Sequence, residues 1–311
     1  MSAQKVSYAA SSFYTDMRSI LMVFDISKAV VIGQNQQNGI ICRAPGLFVA
    51  GNVYIGVDPE GKDLNNGRRN GEGSGVKLLD GASDAIIGSD STDAAVVIGW
   101  NQYEGILCDA ARLTVRGSVF IGVHPLGIDI GNGYGNPGRS GFVLTTGAHD
   151  AKIGSSVKTD GIDGDRTVAA AAIVIGNSYR NGIDCHAARL SILGNVFIGT
   201  DSDGNDHGNG EHGIRLRPSS SGATIGSSNS SSVVVIGQNK KDGVYSDVPK
   251  LVIVGSVFIG VDHNGNDVGN VGHGVHLLGG AANALIGYAA DYTTNGKDGY
   301  SESGGKSFMN K

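Results

Sequence analysis

The sequence predicts an all-β fold, a parallel β-helix (solenoid) of about eight rungs in four two-rung repeats. Three observations predict it: Gly supplies 51 of the 311 residues, the tripeptide Val-Ile-Gly recurs four times, and short apolar runs fill the intervals. The tripeptide ends at Gly33, Gly99, Gly176 and Gly237, so the intervals are 66, 77 and 61 residues. Because further Gly positions keep the same order in each interval, the excess of Gly marks turns in a repeat.

The strands of each repeat are predicted from short apolar runs bounded by Gly, Asn, Asp or Ser. In the first copy these runs are residues 39–42, 47–49, 53–55, 76–79, 85–87 and 95–98. Runs this short and rich in β-branched residues predict strands, and three strands per turn are typical of a parallel β-solenoid. The six runs therefore form two rungs, whose corners need the positive φ that Gly and Asn adopt readily.

Composition and charge exclude several classes of protein. The Gly content excludes a helical bundle, because Gly in a helix costs about 1 kcal/mol relative to Ala. The net charge is −5 and no basic stripe is present, so the footprint of a nucleic-acid-binding protein is missing. No apolar run approaches the roughly 18 residues of a membrane span. No signal peptide is visible at the start of the chain.

We divide the chain into three parts. Residues 1–30 form no recognisable rung and are interpreted as an N-terminal segment or cap, and residues 31–287 form the parallel β-helix. Residues 288–311 contain no fifth Val-Ile-Gly and are interpreted as a flexible tail. An uncapped terminal rung exposes unpaired strand edges. The sequence therefore leaves open that copies stack end to end, or that the chain belongs to a longer repeat array.

The three cysteines occupy one position of the repeat. Cys42, Cys108 and Cys185 align with Ser246 in the fourth copy, and strand alternation turns all four side chains inward. Cysteines two rungs apart are separated by about 9.6 Å along the stack, given a rung spacing of about 4.8 Å. A disulfide requires Cα atoms within about 7 Å. We therefore expect buried free thiols.

The loop that follows each Val-Tyr/Phe-Ile-Gly strand is rich in Asp and Asn. In the third copy these residues are Asp201, Asp203, Asn205 and Asp206, and in the fourth they are Asp262, Asn264, Asn266 and Asp267. Alternating carboxylate and amide oxygens around a Gly turn are similar to the first half of a calcium loop, although the closing Glu is missing. The alternative is an Asx-rich turn that bonds its own backbone. No motif requires a cofactor, and calcium is the one candidate.

Two sets of outward side chains are candidates for ligand binding. The aromatic residues of the recurrent strand are Tyr54, Phe120, Phe197 and Phe258. A row of exposed rings could stack on sugars, and the alternative is burial under the loop that follows. Lys77 and His276 lie at outward positions of equivalent strands. They are candidates for contact with an acidic glycan, and the alternative is solvated surface charge.

The best cluster of ionisable residues lies in the third and fourth copies. Its members are Asp206, His207, His212, Arg215 and Arg217, which are the candidate catalytic residues if the chain is an enzyme. The turn Gly272-His273-Gly274 occupies a position where the other copies have Ser74, Ser140 and His212 before Gly. We interpret it as a variant turn. No pair of carboxylates suitable for glycoside hydrolysis can be assigned.

The segment Gly-Asn-Val-Phe-Ile-Gly-Thr-Asp-Ser-Asp-Gly-Asn-Asp-His-Gly-Asn at 194–209 resembles a repeat of right-handed parallel β-helix proteins of the surface or secreted, adhesin-like type. This resemblance implies a right-handed coil and an extracellular or cell-surface location. It implies a non-enzymatic module for adhesion or scaffolding, whose partner would be a glycan or a polymer of the cell surface or matrix. The alternative is a carbohydrate-active enzyme, a lyase, hydrolase or epimerase that acts on an acidic polysaccharide, because β-helices also host such enzymes.

Overall fold

The computed structural model of the protein describes residues 29–67, 73–91, 94–133, 139–154, 172–227 and 233–287. These residues contain 24 short strands and no helix. The proposed tail at 288–311 lies outside the described residues, as does the proposed N-terminal cap except for Ala29 and Val30, of which Val30 begins the first strand.

The strands form three parallel sheets of eight strands each, and every third strand along the chain enters the same sheet. The first sheet contains β1 (Val30–Ile32), β4 (Val53–Ile55), β7 (Val96–Ile98), β10 (Val119–Ile121), β13 (Ile173–Ile175), β16 (Val196–Ile198), β19 (Val234–Ile236) and β22 (Val257–Ile259). The second contains β2 (Ile40–Cys42), β5 (Val76–Leu78), β8 (Ile106–Cys108), β11 (Phe142–Leu144), β14 (Ile183–Cys185), β17 (Ile214–Leu216), β20 (Val244–Ser246) and β23 (Val275–Leu277). The third contains β3 (Phe48–Val49), β6 (Ile86–Ile87), β9 (Thr114–Val115), β12 (Lys152–Ile153), β15 (Ser191–Ile192), β18 (Thr224–Ile225), β21 (Val252–Ile253) and β24 (Leu285–Ile286).

This arrangement confirms the predicted parallel β-helix. We call each set of three successive strands a rung, from β1–β3 at one end to β22–β24 at the other. Alternation along each three-residue strand turns its outer two residues inward, so that Ile55 stacks on Ile98 and both are buried. Identical β-branched residues in neighbouring rungs fill the interior in layers, because the parallel register places like residues side by side.

The corner after each first-sheet strand requires positive φ. Gly56 has φ 80°, and a Cβ on this residue would lie 2.1 Å from the carbonyl oxygen of Gly99, so no other residue fits there. Larger residues also occupy corners in the left-handed region, among them Trp100 at φ 55° and Gln34 at φ 61°. The prediction of corners built from Gly and Asn therefore covers only some of them.

A ladder of buried asparagines follows the corner between the first and second sheets. Asn66 Nδ2 donates to Asn101 Oδ1 at 2.8 Å, and Asn101 Nδ2 donates to Asn132 Oδ1 at 2.9 Å. The backbone N–H of Asn101 donates to the same oxygen of Asn132 at 3.1 Å. Further along, Asn209 and Asn239 continue the pattern at 2.8 Å per bond. The ladder satisfies polar groups that water does not reach, which is the condition for burying them.

The long loops that follow β4, β10, β16 and β22 fold back over the first sheet. Each contains an antiparallel bridge between two of its own residues, namely Val57–Asp63, Val123–Asp129, Thr200–Asp206 and Val261–Asp267. Val123 and Val268 in these loops pack with Val174 and Val235, which are the outward residues of first-sheet strands. A second, smaller apolar layer therefore forms outside the solenoid core.

The cysteine column lies in the core of the second sheet, and this prediction is confirmed. Cys42, Cys108 and Cys185 are buried and unpaired. Each thiol donates to the carbonyl oxygen two residues later, at 3.2 to 3.3 Å. Burial raises the pKa of Cys108 and of Cys185 to about 11, which suppresses the reactive thiolate.

The asparagine ladder yields a first prediction. Changing Asn101 to Ala removes the side-chain acceptor of Asn66 and one of the two donors to Asn132, and both neighbours are buried. We expect the free energy of unfolding to fall by about 1–3 kcal/mol, measured by chemical denaturation. Asn264 is exposed, and Asn264→Ala should change it by less than about 0.5 kcal/mol. Equal effects of the two variants would contradict a structural role of the ladder.

The cysteine column yields a second prediction. A thiol reagent should count three thiols in denatured protein and react far more slowly with the native protein. The reason is that both access and thiolate formation require the core to open. Rapid reaction of all three thiols without denaturant would show that this part of the core is not closed.

Candidate functional site

The outer face of the second sheet changes character halfway along the helix. Each strand presents its middle residue outward, and in the first four rungs these residues are Ile41, Lys77, Leu107 and Val143. In the last four rungs they are Asp184, Arg215, Tyr245 and His276, in lateral register with one another. Ionisable and aromatic side chains therefore form a row on one half of one face, which we call the polar face.

A second row lies beside the first, in the turns that lead into the same strands. His212 accepts the backbone N–H of Asp242 at its Nδ1 atom, at 3.2 Å. Asp242 in turn accepts the backbone N–H of His273 at Oδ1, at 2.7 Å. Each side chain thus caps the backbone of the next rung, as Asn181 Oδ1 does for the N–H of His212. We include these turn residues in the polar face. Their side chains order the turns and also make this face polar.

Asp184 and Arg217 form the strongest ion pair of the polar face. Arg217 Nε and one terminal nitrogen donate to the two oxygens of Asp184, both at 2.7 Å. The Asp184 side chain is 8% exposed. Burial favours its neutral form, but the Arg217 guanidinium outweighs burial and holds the pKa of Asp184 below its usual range. A bidentate pair of this kind fixes the geometry as well as the charge.

Asp242 is surrounded by three histidines. Its Oδ1 lies 2.9 Å from His273 Nδ1, and its Oδ2 lies 3.3 Å from His276 Nδ1 and 3.2 Å from His212 Nδ1. Burial of the carboxylate is outweighed by hydrogen bonds from the backbone and ring of His273, so the pKa of Asp242 is lowered. Burial lowers the pKa of His212, which favours the neutral ring that accepts from the backbone.

The ring of Tyr245 connects the two groups. His212 stacks on it at 4.5 Å between ring centroids, and His276 meets it edge-on at 5.1 Å. The Arg215 guanidinium lies 5.6 Å from the ring centroid, within the range of a cation–π contact. Arg215 makes no close ion pair within the described ranges, although it lies in register with Asp184 and its charge contributes to lowering the pKa of that carboxyl.

The five candidate catalytic residues do not form one site. His212, Arg215 and Arg217 belong to the polar face, whereas Asp206 and His207 lie in the loop over the first sheet. His207 is buried between Asp129 and Asp201, at 3.3 and 3.2 Å. Burial favours the neutral ring, but the hydrogen bonds with Asp201 and Asp129 outweigh it and raise the pKa of His207.

The candidate calcium residues take part in turns. Asp201 Oδ1 accepts the backbone N–H of Asp203 and of Asn205, each at 3.0 Å. Asp262 accepts in the same way from Asn264 and Asn266, at 2.8 and 2.7 Å. The remaining two bind locally: Asp206 accepts from Gly208 and Asp267 accepts from Gly269, at 2.8 and 2.9 Å. These bonds are those of an Asx-rich turn, and calcium binding stays a prediction.

The candidate binding residues are dispersed. Tyr54, Phe120 and Phe258 are partly buried under the loops, and Phe197 is buried. Phe197 therefore has no free ring face for a sugar in this structure. Lys77 and His276 lie on β5 and β23, at opposite ends of the second sheet, so only His276 belongs to the polar face.

Four residues of these two rows are absent from the sequence-based site: Asp184, Asp242, Tyr245 and His273, the last of which was interpreted as part of a variant turn. Each sequence repeat contains two rungs, so aligning the repeats matches residues that lie two rungs apart. The contacts of these side chains instead reach the neighbouring rung. Asp242 and His273, for example, are in contact and 31 residues apart. A search for ionisable residues about 31 positions apart would have found them.

Comparison of the chain with protein-family models, curated proteins and solved structures gives no match. Within the described ranges, no helix has the length and apolar character needed to cross a membrane.

The Asp184–Arg217 pair yields a third prediction. Asp184→Asn should lower the free energy of unfolding by about 3 kcal/mol near pH 7, because it leaves a partly buried guanidinium unpaired. The matched control is Asp150→Asn, which breaks a bidentate pair with Arg189 on the surface and should cost less than about 1 kcal/mol.

The difference in unfolding free energy between the wild type and Asp184→Asn should depend on pH. Because the pKa of Asp184 is lowered in the folded chain, its stabilisation is present above the unfolded value of about 3.9. It is lost as the pH falls through the lower, folded value. Denaturation from pH 7 to pH 3 should therefore show the wild type converging on Asp184→Asn at the acid end. A difference that grows towards low pH would contradict the assignment.

Proposed function

We propose that the chain is a non-enzymatic β-helix module for adhesion or scaffolding that binds an acidic polymer, such as a polysaccharide with carboxylate groups, on its polar face. The observation that supports this proposal most is Arg215, which lies against the ring of Tyr245 and makes no close ion pair in the described ranges. A guanidinium binds carboxylates in a bidentate manner, and an adjacent ring offers an apolar surface to a sugar. The resemblance of residues 194–209 to surface β-helices supports an extracellular or cell-surface location.

The ionised state of the carboxylates on the polar face favours polymer binding over glycoside hydrolysis. A glycosidase needs a carboxylic acid whose pKa is raised so that it can donate a proton. The carboxylates on this face that contact Arg, Lys or His side chains are those of Asp184, Glu211 and Asp242. The pKa of each is lowered. For Glu211, burial is outweighed by Lys241 and Arg180. These groups act as anions that position cations.

One observation favours the second candidate, a lyase, hydrolase or epimerase acting on an acidic polysaccharide. The polar face occupies only the last four rungs of the second sheet, whereas a scaffold can spread equivalent contacts along all rungs. In such an enzyme His212 is the candidate proton-transfer residue, because its neutral ring lies beside Arg215 and Tyr245. Catalysis would then need His212 in addition to the binding residues.

A fourth prediction tests the proposed binding surface, which both candidates share. Electrophoresis through gels that contain polygalacturonate or alginate should show retarded migration of the wild type. Arg215→Ala and Tyr245→Ala should each weaken binding roughly tenfold, equivalent to about 1.4 kcal/mol. Arg112→Ala removes the same charge from an exposed corner and serves as the control. An unchanged retardation of both polar-face variants would contradict the proposed binding surface.

The same substrates test for turnover. We expect no new reducing ends and no unsaturated products from polygalacturonate, pectate or alginate. Turnover that disappears in His212→Ala, with binding retained, would replace the scaffold proposal by the enzyme.

A further inference from the structure

The surroundings of Asp242 contain a set of donor atoms that the polymer-binding proposal does not use. One ring nitrogen each from His273 and His276 and a carboxylate oxygen of Asp242 lie within 4.8 Å of one another. Within the described ranges this is the only group of three or more His, Cys, Asp or Glu residues with that spacing. Imidazole nitrogens with a carboxylate oxygen are a common ligand set of divalent transition metals.

The distances fit a tetrahedral ion. Two ligands with bonds of about 2.0–2.1 Å to one tetrahedral metal are separated by about 3.3 Å. Asp242 Oδ1 lies 2.9 Å from His273 Nδ1, and the second oxygen, Oδ2, lies 3.3 Å from His276 Nδ1. One oxygen and the two ring nitrogens lie within 4.8 Å of one another, so an ion would have to draw them closer by at most about 1.5 Å. His273 is exposed, so its ring is the ligand with room to move.

The fold holds one of the three ligands, Asp242, in place before any ion binds. Asp242 is buried and accepts the backbone N–H of His273, which fixes its carboxylate across adjacent rungs. His212 accepts the backbone N–H of Asp242 and lies 3.2 Å from its Oδ2. Neighbours of this kind orient metal ligands and tune affinity. His273 is 71% exposed, so the site opens to solvent and leaves room for water as a further ligand.

The ligand set is confined to one end of the helix. The equivalent turn positions of the first five rungs hold Asn38, Ser74, Glu104, Ser140 and Asn181, and only the last two rungs combine Asp242, His273 and His276. A repeat that needed only turn formers would have no reason to place three such residues together. We propose that Asp242, His273 and His276 bind one divalent transition-metal ion, for which zinc is the best match in ligand type and spacing.

The test uses the untagged full chain after treatment with a chelator. Calorimetric titration with Zn²⁺ should show one saturable site, and Co²⁺ should give the intense visible absorption of tetrahedral coordination. His273→Ala and Asp242→Asn should each weaken Zn²⁺ binding at least tenfold and remove the Co²⁺ absorption. His149→Ala is the matched control, because His149 is also an exposed histidine beside a carboxylate, 2.7 Å from Asp150, and should leave both signals unchanged.

Three outcomes would overturn the proposal. They are no saturable Zn²⁺ binding at micromolar concentrations, binding that the double variant His273→Ala/His276→Ala retains, and equal losses in the His149→Ala control. The variants must keep the circular dichroism spectrum and melting temperature of the chelator-treated wild type, and His276→Asn replaces His276→Ala if they do not. No polymer is present in these titrations, so failure of the metal site and failure of the proposed polymer binding are separate results.

Discussion

The buried corner between the first and second sheets is the constraint on which the rest of the structure depends. Every rung must turn there, and every turn brings polar backbone groups out of contact with water. Asn101 solves this by bonding the rungs on both of its sides with its side chain, while its own N–H donates to Asn132. An apolar residue at this position would leave buried donors without partners, which is more costly than the loss of an exposed hydrogen bond.

The ladder also sets the lateral register. Because each of these amides bonds the equivalent amide of the next rung, a slip of one residue would break the amide–amide bonds of the row. The strands that follow the corner are therefore aligned, so that Asp184 lies beside Arg215 and Arg215 beside Tyr245. A row of side chains with a spacing close to 4.8 Å follows from the stacking of parallel strands. The polar face is a product of this alignment.

Much of the fold could be predicted from the sequence, because each strand is marked locally. A run such as Val53-Tyr54-Ile55 has β-branched residues on the buried side and turn formers at its ends, and the structure has a strand there. The cysteine column followed from alternation alone. The ladder was not predicted, because Asn66 and Asn132 belong to the loop position of the repeat and Asn35 and Asn101 to another. Only the coil itself shows that these two positions are neighbours.

The candidate site was predicted in part for a related reason. His212, Arg215 and Arg217 were found because they are close in sequence, and Asp206 and His207 were included on the same ground. Between His207 and His212 the chain leaves the loop over the first sheet and enters the second sheet. Residues on either side of this point are therefore close in sequence but lie on different faces of the helix. Asp184 and Asp242 lie one rung before and after Arg215, and in a single rung each is indistinguishable from an ordinary surface carboxylate. Their importance arises only when rungs stack.

The ladder is interrupted at one point. Where the other rungs place Asn, the fifth rung has Ser178, whose backbone N–H still donates to Asn209 but whose hydroxyl is bonded to Gly176. The side chain of Asn132 makes no bond to Ser178 and donates instead to the carbonyl of Ile98. In a one-dimensional stack, cooperativity between units depends on each interface. The ladder thus forms two blocks of four rungs, which at this corner are joined by backbone bonds and by the side chain of Asn177, a donor to Asp129 at 2.6 Å. The whole polar face lies in the second block, so its order depends first on the interfaces within that block.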